Sequence, residues 1–340
     1  MNLNQINTRI ETLDFLRGFA LIGIMLVNIV VIANIGIPES SQDITYKKFL
    51  DFFIESKFFS IFSYLFGIGF YIFMQRAEEK PGNKYFIYLR RILILAIFGL
   101  IHMQLQPGEA LVVYSIFGLL LIPFFNLNKF INLVIGILLL IMVLYLDAKI
   151  LTPLPYFILG LASAQFGMIF KFNRYKIWSV VALISGIIST IGWYLLEKAY
   201  VVPNFKLLRQ KSEVSINHYA ENVDHYHHLI TIFSPFMSIF YASCLILLLN
   251  ISWARKVLSP LKYYGSMALT NYIGQTLLIY LAISIFSGKD WTHVDTLWIC
   301  VCVYVFQLLI STYWLKYFKL GPLEYIWKMA TYMKKIKIIK

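Results

Sequence analysis

Charged residues are scarce in this sequence. Asp, Glu, Lys and Arg together make up 14% of its 340 residues, whereas about a quarter is usual in a soluble domain. Hydrophobic residues make up 59% of the chain instead. The shortage of charge excludes an ordinary soluble domain and indicates a protein that is embedded in a membrane.

Cysteine is also scarce, and its three copies, Cys244, Cys300 and Cys302, all lie in apolar segments. An odd number without paired spacing does not indicate a disulfide framework. Four of the six histidines fall between residues 218 and 228, but no standard metal-ligand spacing connects them. We therefore expect no metal site, and we expect residues 198–228 to form a solvated extracytoplasmic loop.

Acidic residues are outnumbered, with 17 Asp and Glu against 30 Lys and Arg, which gives a formal net charge of +13. The basic residues are concentrated in alternate segments between apolar runs, which is the pattern of cytoplasmic loops. Because the sequence contains no nucleic-acid-binding module, we attribute the charge to membrane topology and expect no nucleic-acid partner. Both termini are then cytoplasmic, and the tail "MKKIKIIK" is placed to contact anionic membrane lipids.

Apolar runs predict the fold class, an all-α polytopic membrane protein with a bundle of about ten transmembrane helices. No soluble domain or internal repeat interrupts the runs, so we expect a single transmembrane domain over residues 1–340. The predicted spans cover residues 14–36, 58–75, 90–106, 109–125, 131–147, 152–170, 177–197, 229–250, 265–287 and 295–315.

Three polar residues, Asp14, Arg17 and Asn28, fall on one face of the first predicted helix. Asn28 follows Arg17 by eleven residues, and eleven steps of about 100° return to nearly the same face. Charges in a membrane helix usually face the bundle interior or a water-filled path. The simpler alternatives are a solvated ion pair between Asp14 and Arg17 and a helix-joining hydrogen bond from Asn28.

The segment "HMQLQPGE" places His102 and Glu109 on either side of a turn at Pro107 and Gly108. A carboxylate next to an imidazole fixes the tautomer of the ring and raises its basicity, which is how a general base is built. The simpler alternatives are an interfacial histidine and an ordinary acidic residue at a helix start.

Two further groups of polar residues belong to the cytoplasmic side in the predicted topology. Asn271 and Gln275 are one helical turn apart and would either line a polar cavity or join helices. Arg90 and Arg91 open the third predicted span. They are typical of positive-inside anchors, and their guanidinium groups also suit bidentate contacts with phosphate.

Five segments taken together resemble the YeiB-like family of bacterial membrane proteins, and the chain from about residue 200 is similar to its domain of unknown function, number 418. The segments are "RIETLDFLRGFALIGIMLVNI", "FSIFSYLFGIGFYIFMQRA", "RRILILAIFGLIHMQLQPGEALVVYSIFGLLLI", "GSMALTNYIGQTLL" and "GPLEYIW". That family looks like a branch of the transmembrane acyltransferase superfamily, which is related to heparan-α-glucosaminide N-acetyltransferase.

The resemblance implies an acyltransferase in the bacterial cytoplasmic membrane that moves an acyl group, such as acetyl, from cytoplasmic acyl-CoA to an extracytoplasmic acceptor. Similar O-acyltransferases carry an Arg, ten residues and then a His on the first helix. Here Arg17 matches the Arg, and Asn28 stands where the His would be. Because Asn cannot act as a base, His102 is the expected general base, with Glu109 where the family commonly has Asp.

Under this interpretation the polar stripe of the first helix lines a path from a CoA pocket, and two sets of residues bind the donor. Arg17, with Arg90 or Arg91, would contact the CoA phosphates. The pantetheine amides would bind the side-chain amides of Asn28, Asn271 and Gln275, and Asp14 completes the stripe beside Arg17.

Two other functional classes remain open on sequence grounds. One is a polytopic transporter of a small solute, which would use the same intramembrane polar residues. The other is a non-catalytic membrane protein that binds CoA or lipid, which the Asn at position 28 would suit. The identity of the acceptor and the existence of a homodimer are also open.

Overall fold

The computed structural model describes residues 10–201, 213–286 and 288–340, and for residues 213–218 it describes the helix without its side chains. These parts of the chain are almost entirely helical and contain no β-strand, only an isolated bridge between Phe318 and Ile339. The α-helices are α1 (Glu11–Ile32), α2 (Ser41–Phe49), α3 (Lys57–Glu78), α4 (Lys84–His102), α5 (Ala110–Leu120), α6 (Lys129–Tyr145), α7 (Pro153–Gln165), α8 (Tyr175–Ala199), α9 (Glu213–Leu249), α10 (Ser252–Val257), α11 (Ser259–Ser266), α12 (Ala268–Ile285), α13 (His293–Tyr317) and α14 (Pro322–Tyr332).

The prediction of an all-α polytopic membrane protein is confirmed. Each of the ten predicted spans overlaps one of these helices. In the described residues seven helical segments are long and apolar enough to cross a membrane, and α2 and α3 count there as one segment of 38 residues. The helices α5 and α6 are apolar but shorter, so the number of ten crossings stays a prediction.

The prediction of a solvated loop at residues 198–228 is wrong in its secondary structure for the part that the structure describes, whereas Glu221, Asn222, Asp224 and His225 are exposed there. Helix α9 begins at Glu213, so the segment with four histidines is helical. The apolar pattern starts only after these residues, which is why it predicted a helix start near residue 229. Tyr226 is buried within the helical segment and packs against the rings of Phe52 and Tyr200, which anchors this polar first part of α9. The remainder of the loop, residues 202–212, lies outside the described residues.

Helices α1 and α3 form the centre of the bundle. They pack against each other, and α1 also contacts α11, α12 and α13. Helix α1 crosses α11 closely because both contribute glycine. A Cβ atom at Gly18 would lie 2.3 Å from the Leu261 carbonyl oxygen, and one at Gly265 would lie 1.9 Å from the Asp14 carbonyl oxygen. Small residues at a crossing allow this backbone approach, which replaces the hydrophobic driving force that is absent between helices in lipid.

The pair formed by α4 and α5 is a tight antiparallel hairpin. A Cβ atom at Gly99 would lie 2.7 Å from the Val112 amide nitrogen, so only glycine permits the observed spacing. Helix α4 ends at His102, and Glu109 is the N-cap of α5, where its carboxylate accepts a hydrogen bond from the Leu111 N–H. The hairpin therefore brings a histidine at one helix end to a carboxylate at the next helix start.

Helix α12 is capped by a residue from another helix. Oε1 of Glu324, in α14, accepts hydrogen bonds from the N–H groups of Leu269 and Thr270, at 2.7 and 3.1 Å. The Thr270 hydroxyl donates to the other carboxylate oxygen at 2.6 Å. Burial raises the pKa of Glu324, although these hydrogen bonds act in the opposite direction. The sequence segments "GSMALTN" and "GPLE" thus form one structural unit that fixes the start of α12.

Candidate functional site

His102 and Glu109 are in direct contact in the bundle interior. The carboxylate of Glu109 meets Nδ1 of His102, and the side chains of both residues are almost fully buried. An ionised carboxylate has no proton to donate, so the ring must carry its proton on Nδ1. This assignment leaves Nε2 of the neutral imidazole as a hydrogen-bond acceptor.

The Nε2 atom of His102 faces a hydroxyl group. Oγ1 of Thr276, in α12, lies 2.8 Å from Nε2. The same hydroxyl is 3.3 Å from Oε1 of Gln106, in the turn that joins α4 to α5. A carboxylate, an imidazole and a hydroxyl are therefore connected in one chain of hydrogen bonds, and all the groups in it are buried.

Sequence reasoning did not identify Thr276 or Gln106. Threonine and glutamine are unremarkable in a membrane helix and a turn, and nothing in their spacing connects them to His102. They are 174 and 4 residues away from it along the chain. Only the packing of α12 against the α4–α5 hairpin brings the hydroxyl to the ring. Tyr272, one turn earlier in α12, marks the same contact, because its ring packs edge-on to His102 at 5.1 Å.

Arg17 and Arg91 border neighbouring turns of α3, near Gly69 and Phe73, in a region that we call the basic end. Arg17 forms an ion pair with Asp14 at 3.1 Å. The Arg91 guanidinium stacks on the ring of Trp327 at 3.6 Å and also contacts Phe73. Arg91 has no ion pair within the described residues. Two guanidinium groups and one carboxylate in this region leave an excess of positive charge that favours an anion.

Arg90 and Asn28 lie outside this arrangement. Arg90 is exposed and points away from Arg91, since adjacent residues of a helix are about 100° apart. Asn28 is half-buried, and its amide has no hydrogen-bond partner among the residues that the structure describes. Apart from His102, the predicted polar residues of α1 and α4 therefore divide into two sets. Asp14, Arg17 and Arg91 lie at the basic end, and Arg90 and Asn28 lie outside it.

The side chains of Asn271 and Gln275 are occupied by protein. The Asn271 amide donates to the Tyr264 carbonyl oxygen at 2.8 Å and to the Ser311 hydroxyl at 3.0 Å. The Gln275 amide donates to the Tyr264 hydroxyl. Gln307 completes the network, since its amide donates to the Asn271 carbonyl oxygen. These bonds join α11, α12 and α13, so a ligand amide would have to displace them to reach Asn271 or Gln275.

Arg91 and His102 lie on the same face of α4. They are eleven residues apart, which corresponds to about 16 Å along the axis and to just over three full turns. Arg17 and Asn28 have the same spacing on α1. On α1 the residue eleven positions after the arginine is Asn28, which has no imidazole. On α4 the residue at the same spacing from Arg91 is a histidine, His102.

A second group of charges lies around the junction of α2 and α3. Lys57 is fully buried, and its ammonium group donates to the Asp51 carbonyl oxygen at 2.6 Å. The carboxylate of Asp51 binds the ammonium group of Lys47, which lies 3.8 Å from Glu55. Ser56 has a φ of 66°, in the left-handed region, which turns the chain into α3.

An open cleft of 630 Å³ adjoins this charged group. Nδ1 of His227 has no hydrogen-bond partner in the described residues and lies 3.9 Å from Glu55. Within the part of the chain that the structure describes, no group of three or more His, Cys, Asp or Glu side chains is arranged to hold a metal ion. The cleft is lined by Glu55, Asp147, Lys149, Asp224, His225, His227 and His228.

Comparison with known proteins finds relatives without an assigned activity. Residues 166–334 match a family described as "Protein of unknown function (DUF418)". An "Uncharacterized 39.9 kDa protein in amylase 3′region" of Bacillus acidopullulyticus is 45% identical over 337 residues, which cover 98% of this chain and 97% of that protein. YxaH of Bacillus subtilis strain 168 is 24% identical, with coverage of 96% and 95%. YeiB of Escherichia coli K12 is 25% identical, with coverage of 94% and 95%. No solved structure matches.

Proposed function

Because the chain belongs to the YeiB-like DUF418 family, whose named relatives have no assigned activity, we propose from its own site that it is a multi-pass acyltransferase of the bacterial cytoplasmic membrane. The enzyme moves an acyl group, such as acetyl, from cytoplasmic acyl-CoA to an extracytoplasmic acceptor. His102 is the general base. The observation that carries the proposal is the buried contact of His102 with Glu109 on one side and a hydroxyl group on the other.

This arrangement suits the removal of a proton from a hydroxyl or amine. Glu109 keeps the proton of the neutral ring on Nδ1 and stabilises the imidazolium that forms when Nε2 accepts another. Thr276 supports the assignment, since its position 2.8 Å from Nε2 is the position that an acceptor hydroxyl needs. The surrounding burial excludes water, which protects a thioester from hydrolysis.

The positive charge of the basic end supports the proposed binding of the acyl-CoA donor. Arg17 and Arg91 supply an excess of positive charge for the CoA phosphates, and Arg91 is on the same face of α4 as His102. The separation of about 16 Å along α4 leaves room for an extended pantetheine arm between the phosphates and the thioester. Asp14 orients Arg17, and Asn28 offers its free amide to the arm. Asn271 and Gln275 form the wall behind this path, and the exposed Arg90 is a peripheral contact.

Release of the CoA thiol from acetyl-CoA tests the proposal. Proteoliposomes that contain the purified protein would be supplied with acetyl-CoA and with glycerol, glucosamine or phosphatidylglycerol as surrogate acceptors. We expect His102→Asn to lower the rate about 100-fold or more, because a positioned base contributes at least that much.

The matched control is His225→Asn, which changes an exposed histidine and should leave the rate within two-fold. If His102→Asn does not fold, His102→Gln takes its place. A folded His102 variant with the wild-type rate would overturn the assignment of the base. A folded wild-type protein that neither binds acetyl-CoA nor releases thiol would overturn the acyltransferase proposal itself.

Transport of a small solute is the second candidate function. The observation that favours it is the charged group at the start of α3, because buried ionisable residues in membrane helices often mark ion or solute paths. Lys57 is fully buried there, next to Asp51 and an open cleft. Uptake of labelled amino acids or sugars into proteoliposomes, abolished by Lys57→Met and unaffected by His102→Asn, would favour this function over acyl transfer.

A further inference from the structure

We infer that Thr276 is the nucleophile of the reaction and carries the acyl group as an ester between donor and acceptor. The inference rests on the proposed function and adds a covalent intermediate to it. Thr276, His102 and Glu109 have the connectivity of a hydroxyl–imidazole–carboxylate triad, in which the base activates the hydroxyl and the carboxylate orients the base.

The hydroxyl of Thr276 is turned toward the imidazole and away from its own helix. Ser115, Thr312 and Thr331 show the usual behaviour in a helix, since each hydroxyl donates to the carbonyl oxygen four residues earlier. The contacts of the Thr276 hydroxyl are with His102 and Gln106 instead. Oε1 of Gln106 and Nε2 of His102 are both acceptors, and the hydroxyl has one proton. The 2.8 Å contact with Nε2 is shorter than the 3.3 Å contact with Oε1, so we assign the proton to the hydrogen bond with the base, as nucleophilic attack requires.

Gln106 supplies a second feature of an acyl-transfer site. It is 1% exposed, and its side-chain nitrogen Nε2 has no hydrogen-bond partner in the described residues. The other end of the same amide is 3.3 Å from the Thr276 hydroxyl. A buried N–H donor without a partner is costly. In the proposed reaction this N–H is the donor that an oxyanion forming near Thr276 would recruit.

Thr276 also lies at the middle of its helix. Helix α12 has 18 residues and extends over about 27 Å, close to the thickness of a hydrocarbon core. Thr276 is the ninth of these residues. An acyl group attached there is halfway between the two ends of α12, so the donor and the acceptor can approach from opposite sides without CoA crossing the membrane.

The reaction then has two balanced halves. In the first, Nε2 of His102 takes the Thr276 proton, Oγ1 attacks the thioester carbonyl carbon, the C–S bond breaks and the CoA thiolate receives the proton from His102. In the second, His102 takes a proton from the acceptor hydroxyl or amine, whose oxygen or nitrogen attacks the ester. The C–O bond to Thr276 then breaks, and Oγ1 regains the proton.

Trapping of the acyl-enzyme tests this inference. The purified protein in lipid nanodiscs would be incubated with acetyl-CoA without acceptor, quenched in acid, digested and analysed by mass spectrometry. We expect one acetyl group on the peptide that contains Thr276.

Thr276→Val keeps the shape of the side chain but removes the hydroxyl. This variant should carry no acetyl group, and its rate of thiol release should be at least 100-fold lower than that of the wild type. Thr276→Ser keeps the hydroxyl and should retain both. Thr296→Val is the matched control, because Thr296 is also buried but donates to the His293 carbonyl oxygen.

The outcomes separate this inference from the proposed function. Thiol release that persists in folded Thr276→Val, without an acetyl group on wild-type Thr276, would overturn the covalent step and leave direct transfer by His102 intact. If wild-type protein releases no thiol, the proposed function fails, and p-nitrophenyl acetate then tests the nucleophile alone. Acetylation of Thr276 by that ester, lost in His102→Asn, would support the triad, and its absence would overturn it.

Discussion

Two regions of the molecule contain a histidine next to a glutamate, and they differ in solvent exposure and in hydrogen bonding. His102 is 2% exposed, and both of its ring nitrogens are engaged, one by Glu109 and one by Thr276. In the open cleft, the side chain of His227 is 33% exposed, and its Nδ1 lies 3.9 Å from Glu55 without a hydrogen bond. The first region fixes a tautomer and a proton acceptor, whereas the second leaves Nδ1 of its imidazole without a hydrogen-bond partner in the described residues.

The comparison shows that density of histidine in the sequence is a poor guide to chemistry here. The segment around residues 218–228 holds four of the six histidines, yet the structure gives it no metal-binding arrangement among the described residues. The isolated His102 is instead positioned by a carboxylate, a hydroxyl and an aromatic ring. Burial with complete hydrogen bonding is the property that distinguishes the two.

Among the variants that compare the two regions, the largest effect is expected from removal of the carboxylate that orients the ring. Glu109→Gln should lower kcat for thiol release from acetyl-CoA by about 10³-fold, because an amide no longer fixes the productive tautomer or stabilises the imidazolium. Steady-state kinetics in proteoliposomes would measure this loss. Glu109→Asp should recover part of the rate, since it restores a carboxylate.

The same exchange in the open cleft provides the control. Glu55→Gln alters the carboxylate next to His227 and should change kcat by less than three-fold. Equal losses in Glu109→Gln and Glu55→Gln, with both proteins folded, would remove the distinction between the two regions.

A smaller effect is expected at the basic end. Arg91→Gln should raise the KM for acetyl-CoA about 10-fold and change kcat by only a few-fold, because it removes a charged contact with phosphate that is made in ground and transition states alike. Arg90→Gln changes an exposed neighbour and should have a much weaker effect. A KM that responds equally to both variants would indicate a general electrostatic effect of the surface.

The smallest expected effect concerns stability. A Cβ atom at Gly99 would lie 2.7 Å from the Val112 amide nitrogen, so Gly99→Ala should destabilise the α4–α5 hairpin by about 1–3 kcal/mol. Thermal unfolding in detergent would detect the change as a lower Tm. Gly36→Ala is the control, since no atom lies within 4 Å of a Cβ there. Unchanged Tm and activity in Gly99→Ala would mean that the hairpin tolerates a wider spacing than the structure shows.

Apolar pattern and turn residues were sufficient to predict much of the fold. Continuous apolar runs identified the helices because a membrane helix must satisfy its backbone internally and be apolar around most of its surface. The same apolar pattern does not predict the beginning of α9, because that part of the helix is polar. Its first turns are fixed by the buried ring of Tyr226, a tertiary contact that has no signature in the local sequence.

The candidate site was accessible to sequence reasoning only where its members are close along the chain. His102 and Glu109 lie on either side of the short connection between α4 and α5, and the structure places them in contact. Thr276 is 174 residues from His102, and its role depends on how α12 packs. The start of α12 is itself set by Glu324 from α14, so the position of Thr276 follows from contacts between distant segments.

Calorimetric titration of acetyl-CoA into the purified wild-type protein tests the central claim most directly, with 3′-dephospho-acetyl-CoA as the comparison ligand. The account predicts saturable binding that weakens when the 3′-phosphate is absent and weakens again in Arg17→Ala. Absence of binding at millimolar acetyl-CoA by the folded protein would contradict it.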